Sequence, residues 1–162
     1  MVEKGAQEPA LSEQERQTFL LHCFQIIQVP MVTQLLDLRS TVTRETINVL
    51  VYFAQNYPSE FGYHTGKYFS STDGFLKLLN NGKRLISDMA HEGIVQILNA
   101  VCIPKVIEVL ISQFKSNKNS LVRLRVAMYL EIVIQRYDID VLVKSQKALE
   151  TDFLLKGIDD QA

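Results

Sequence analysis

The chain has 162 residues, 47% of them apolar and 22% charged, with a formal net charge of −1. That composition is too apolar for a disordered protein, and the near-zero charge excludes a bulk electrostatic pull toward nucleic acid or anionic lipid. Cys23 and Cys102 fall in apolar helix-like runs, so they read as small hydrophobes of a reducing, intracellular setting rather than as a disulfide framework.

Residues 1–11 hold charges, a glycine and a proline but no apolar run, which predicts a disordered tail without a signal sequence; the folded domain is expected over 12–162. Ser12 and Glu15 have capping-box spacing and precede a first helix carrying Phe19, Leu20, Cys23, Phe24 and Ile27. Val29 and Pro30 open a second, short helix through Leu38, because proline suits the first helical position. No window after the first ten residues approaches membrane-spanning length without charge, and no membrane partner is expected. Residues 39–41 turn the chain into a helix over 42–57 that is apolar on more than one side and ends at Pro58. Residues 61–64 read as connection, followed by a helix ending near Leu79, a turn at 80–82 and a long helix over 84–101. Pro104 opens a helix to Phe114, 115–120 form a polar loop, 121–137 a strongly apolar helix, and a last helix fills 140–156.

An internal repeat organises these elements. Ser40 and Val42 leading to Gln55 and Tyr57 line up with Ser120 and Val122 leading to Gln135 and Tyr137, 80 residues later. Half of that interval is about 40, the period of HEAT-type helical pairs, with the hairpin around Asn81 between. A helical pair buries little alone and needs neighbours, which accounts for second helices that are apolar on several sides. The predicted fold is all-α, an α-solenoid of HEAT-type antiparallel helical pairs; no strand pattern competes.

The motifs of catalysis are weak. His22, His64 and His91 are scattered and lack metal-ligand spacing. Gly62, Gly66 and Lys67 imitate a phosphate loop one residue short, with no Ser or Thr after the lysine. Asp88 and Glu92, one turn apart, read as a solvated face rather than an acid and a base. Ser87, Asp88 and His91 lack an oxyanion donor or a pocket and read as helix surface. No enzyme, cofactor or metal is expected.

In a solenoid the turns within successive pairs line up along one edge. Here they carry Arg39, Ser40 and Thr41, then Asn81, Lys83 and Arg84, then Lys115, Asn117, Lys118 and Asn119, while a fourth would begin at Asp159. Three basic turns in a near-neutral chain suit an acidic protein partner. Arg123 and Arg125, opening a second helix, are expected to satisfy backbone carbonyls and acids between repeats.

The segments 37–46, 81–84, 103–104, 118, 122–125 and 156–160 resemble, in order, the "DLRS-x-V-x-RE", "NSAK", "VP…SK…VRRR" and "KGIHD" stretches of the TOG domain of the CLASP microtubule-associated family, with crescerin-type TOG proteins close behind. The resemblance implies a HEAT array that binds αβ-tubulin or the microtubule through Arg39, Ser40, Thr41, Lys83, Arg84 and Lys118, with Arg123 beside them. It implies a cytoplasmic, cytoskeletal location at microtubule, spindle or cilium. The chain departs from the family by having no tryptophan and by reaching Ala162 before a complete last repeat, so an array incomplete at its ends is expected, with the apolar side of the last helix (Val141, Leu142, Leu149, Leu154) uncovered. The alternative is a HEAT adaptor for a non-tubulin protein.

Overall fold

The computed structural model describes residues 11–70, 72–145, 147 and 149–155; the expected tail at 1–10 and the stretch from Lys156, including Asp159, lie outside them. Ser12 caps α1 (Glu13–Leu35) as its spacing predicts: its hydroxyl accepts the Glu15 N–H at 3.3 Å and the Glu15 carboxylate accepts the Ser12 N–H at 2.9 Å. The expected break at Pro30 is absent, and α1 runs through it as one helix. Buried Phe24, Gln28 and Leu35 straddle the proline on one face, whereas Ile26, whose carbonyl loses its donor, and Pro30 itself face solvent. Packing on both sides of the proline therefore outweighs one lost hydrogen bond. The same continuity overturns the expectation about long uncharged windows: residues 17–36 carry no Asp, Glu, Lys or Arg, and α1 is long and apolar enough to cross a membrane by length and composition. Here α1 lies on two neighbouring helices, and the Gln28 amide donates to the His64 carbonyl at 2.7 Å.

The next elements are α2 (Ser40–Asn56), α3 (Pro58–His64), a 3-10 turn (Thr65–Phe69), α4 (Phe75–Leu79), α5 (Arg84–Ala100), α6 (Val106–Ser116), α7 (Ser120–Arg136), α8 (Ile139–Lys144) and a π-helical segment (Leu149–Leu154). Pro58 ends α2 as expected but also supplies the first position of α3, so 61–64 is helix rather than connection; Phe61 joins Phe24 and Phe53 in an aromatic cluster. The predicted final helix breaks at Ser145. Leu149 is buried and Phe153 meets Phe114 of α6 edge to face, Val141 and Leu142 pack partly against the core, and Leu154 stays exposed. The apolar side of this end is thus largely covered rather than bare.

Two layers result, all helical among the described residues. The second helices α2, α5 and α7 have 17 residues each and pack in that order. Between α5 and α7, Ser87 and Asp88 meet Arg125 and His91 meets Tyr129, so the two helices run parallel in register. Gly93 gives α2 and α5 their close approach, since a Cβ there would lie 2.5 Å from Ile47 Cγ2. The linker after α5 is pinned by Tyr137, whose hydroxyl accepts the Ile103 N–H at 2.9 Å. Cys102 lies exposed in that linker, not in a helix as expected, while Cys23 is half-buried in α1; both are free.

Candidate partner-binding edge

Each second helix is launched by the same turn. Asp37 Oδ1 accepts the Arg39 N–H at 2.8 Å, Asn81 Oδ1 the Lys83 N–H at 2.9 Å, and Asn117 Oδ1 the Asn119 N–H at 3.0 Å. Arg39, Lys83 and Asn119 then share one extended conformation, φ near −85° and ψ near 110°, before helix begins at the next residue. The repeat expected from residues 40 and 120 thus holds at 84 as well, and the parallel second helices put the three turns on one edge in order.

The side chains expected on this edge differ in what they offer. Arg39 is exposed, but its guanidinium folds onto Asp37 through two bonds of 3.0 and 2.9 Å, and this pairing holds the Asp37 carboxyl down at about 2. Ser40 is half-exposed and Thr41 exposed. Lys83 and Lys118 project from exposed positions, and Arg84, at 93% side-chain exposure, lies 3.4 Å from Asp88, a pair that solvent reduces to little. Arg123 turns inward as expected for a residue serving carbonyls: its Nη1 donates to Asn117 O at 3.1 Å and to Lys118 O at 3.4 Å. Thr43 holds the equivalent place in α2 and donates to Asp37 O at 3.0 Å.

Asp88 corrects the expectation of a solvated face. It is half-buried, receives Arg125 from α7 as well as Arg84, and its carboxyl is lowered chiefly by the Arg125 hydrogen bond. Ser87 is buried: its hydroxyl donates to Leu79 O at 2.9 Å and accepts Arg125 Nη1 at 2.8 Å. His91 Nδ1 lies 2.7 Å from the Tyr129 hydroxyl. These residues, read as helix surface, are an inter-repeat brace, and Ser87 and His91 have separate partners instead of forming a nucleophile and its base. Among the described residues no group of three or more His, Cys, Asp or Glu could hold a metal.

The first turns of the helices differ in charge according to where they start. Of the helices whose N-termini lie away from these turns, α1, α3, α6 and α8 each carry an acid in the first turn (Glu13, Glu60, Glu108, Asp140), as the helix dipole favours, whereas the five-residue α4 carries none. The helices launched by the turns, α2, α5 and α7, carry none, and cations stand there at the positive ends of the dipoles. Exposed Leu38, Leu85 and Leu121 stand among those cations, outside the expected residue set. Side chains, dipoles and free N–H groups therefore all make this edge electropositive.

Comparison with known families decides the affiliation. The model of the CLASP N-terminal family matches residues 11–161, nearly the whole chain. The chain belongs to the CLASP N-terminal family. That membership places it among relatives of microtubule-associated proteins, and the three turns described above fall within the matched stretch. Compared one by one with curated proteins, this CLASP-type array matches none.

Proposed function

We propose that this CLASP-type array binds αβ-tubulin or microtubules through the row of turns preceding α2, α5 and α7, and modulates microtubule dynamics without catalysing a reaction. The observation that carries this is the charge placement: three helix N-termini on one edge lack acids and bear cations, while α1, α3, α6 and α8 hold acids in their first turns. Such an arrangement forgoes local helix stability, which is expected where an anionic partner supplies the missing charge. Lys83, Arg84 and Lys118 act as the exposed cations, Ser40 and Thr41 as polar contacts, Arg39 as a cation held in check by Asp37, and Arg123 as the brace that fixes the third turn. The protein then resides on the cytoskeleton, with no role for nucleic acid, membrane or cofactor.

Co-sedimentation with microtubules and co-elution with unpolymerised tubulin test this. Binding at low salt that fades as salt approaches physiological strength, where screening acts over about 8 Å, supports it. A chain that ignores tubulin in both forms at low salt favours a HEAT adaptor for another protein, a reading that the groove described next would serve.

A further inference from the structure

The first-helix layer is interrupted at its middle. α2 is backed by the 23-residue α1 and α7 by the 11-residue α6, but α5 has only the five-residue α4, preceded by α3, the 3-10 turn and a loop. Where a regular array would carry a long helix, an open-sided groove of about 1010 Å³ lies between α1 and α6. Its walls carry Val29, Val32 and Leu36 of α1 on one side, interspersed with Gln28 and Thr33, and Val109 of α6 on the other. That volume lies at the upper end of what small ligands occupy, and the aliphatic side chains of its walls are of the kind helices use to pack against helices.

The rim is cationic. Lys67 lines the groove, and Lys105 lies alongside Gly66, its Cβ and Cδ 3.9 Å from where a Gly66 Cβ would be. Both are exposed, and neither makes an ion pair among the described residues. The anions nearby are Asp73, engaged with Thr72 at 3.2 Å and attracted by Lys77, and Glu108, next to Val109. Among the described residues, Lys67 and Lys105 are thus left without a bound carboxylate, while Asp73 is already engaged.

We infer that this groove is a second docking site, separate from the turn edge, and that it takes an amphipathic helical segment of a partner protein, with an apolar stripe between α1 and α6 and acidic residues toward Lys67 and Lys105. The interruption supplies the space, the valines and Leu36 the apolar contact, and the lysines the orientation.

The test uses the full chain and a fluorescein-labelled, stapled three-turn peptide with leucines along one face and glutamates on the flanks. Fluorescence anisotropy against this peptide, a twin with lysine for glutamate and a twin with serine for leucine is expected to give saturable binding of the first only, with the lysine twin at least tenfold weaker. Lys67→Glu with Lys105→Glu, both at exposed positions where folding is expected to persist, should invert the preference between the charged twins. Val32→Asp should abolish binding while the helical circular-dichroism signal persists. Arg84→Glu with Lys118→Glu should leave peptide binding unchanged, so that failure of the tubulin edge and failure of the groove can be told apart. No saturable binding, equal affinity for both charged twins, or unchanged preference in the double lysine variant overturns the inference.

Discussion

Asp37 has two tasks that can be separated chemically. Its Oδ1 fixes the turn by accepting the Arg39 N–H, and its two oxygens together hold the Arg39 guanidinium. Asn81 and Asn117 perform the first task without a charge. Asp37→Asn should therefore keep the turn and release Arg39, adding one net positive charge to the edge. Tubulin binding at low salt is expected to tighten about two- to fivefold, the range of an exposed ion pair, with a steeper salt dependence and a slightly lower melting temperature near neutral pH as the ion pair is lost; weaker binding would mean that the paired Arg39 is the recognised form. His91 gives a pH signature. Burial, then the nearby Arg125, lowers its pKa, with Asp88 and Glu92 opposing, and it faces the Tyr129 hydroxyl across the α5–α7 contact. The folded state thus binds the proton less readily than the unfolded one, so its stabilisation is complete above the ordinary histidine value of 6.5 and is lost as pH falls below it. The carboxylates Asp37, Asp73 and Asp88 have lowered values and act in the same direction only at more acidic pH. Melting temperature should decline between pH 7.5 and 5.5, and His91→Phe should flatten that decline; an equal decline in the variant would assign it elsewhere.

Among the elements, α1 most directly opposes local propensity to packing. Proline at 30 argues for a helix start, and the structure instead keeps the helix continuous because Phe24 and Gln28 before it and Leu35 after it share one buried face. Pro30→Ala restores an N–H for the Ile26 carbonyl and removes the ring clash, against a smaller loss from a freer unfolded chain. A net gain of about 1 kcal/mol or more is expected in urea denaturation; a neutral or negative result would fit a proline at a helix start and contradict the continuous helix. The positions of α2, α5, α6 and α7 were legible because their apolar periodicity and flanking turns agree. What escaped, the helix at 58–64, the broken middle layer and the π-helical segment, consists of short pieces whose form is set by neighbours: Phe61 by Phe24 and Phe53, Phe153 by Phe114. The inter-repeat role expected of Arg125 holds, but its partner Asp88 escaped for the same reason, since a pair 37 residues apart leaves no local pattern.

At the scale of the whole molecule, the solenoid turns a near-neutral chain into one with a signed edge, because parallel second helices put their N-termini and the attached cations side by side. The basic turns could be read from sequence once the repeat was found, but the contrast with the acid-bearing first turns emerges only when helix starts are assigned, and the Arg39–Asp37 pairing only from geometry. If the edge is the recognition surface, placement of charge must matter more than its amount. Arg84→Glu with Lys118→Glu alters two exposed side chains, so stability should change by no more than about 0.5 kcal/mol each. Against an anionic tubulin surface the same change sets like charges face to face, which costs several kcal/mol in other interfaces and predicts at least a tenfold loss of binding. Arg136→Glu with Lys144→Glu changes net charge equally at exposed positions of α7 and α8 away from the turns. Co-sedimentation at matched low salt should therefore separate the two pairs, the edge variant failing and the other remaining close to the unmodified protein. Equal loss in both would reduce the effect to net charge, and equal retention would remove the edge from recognition while leaving the HEAT-type fold intact.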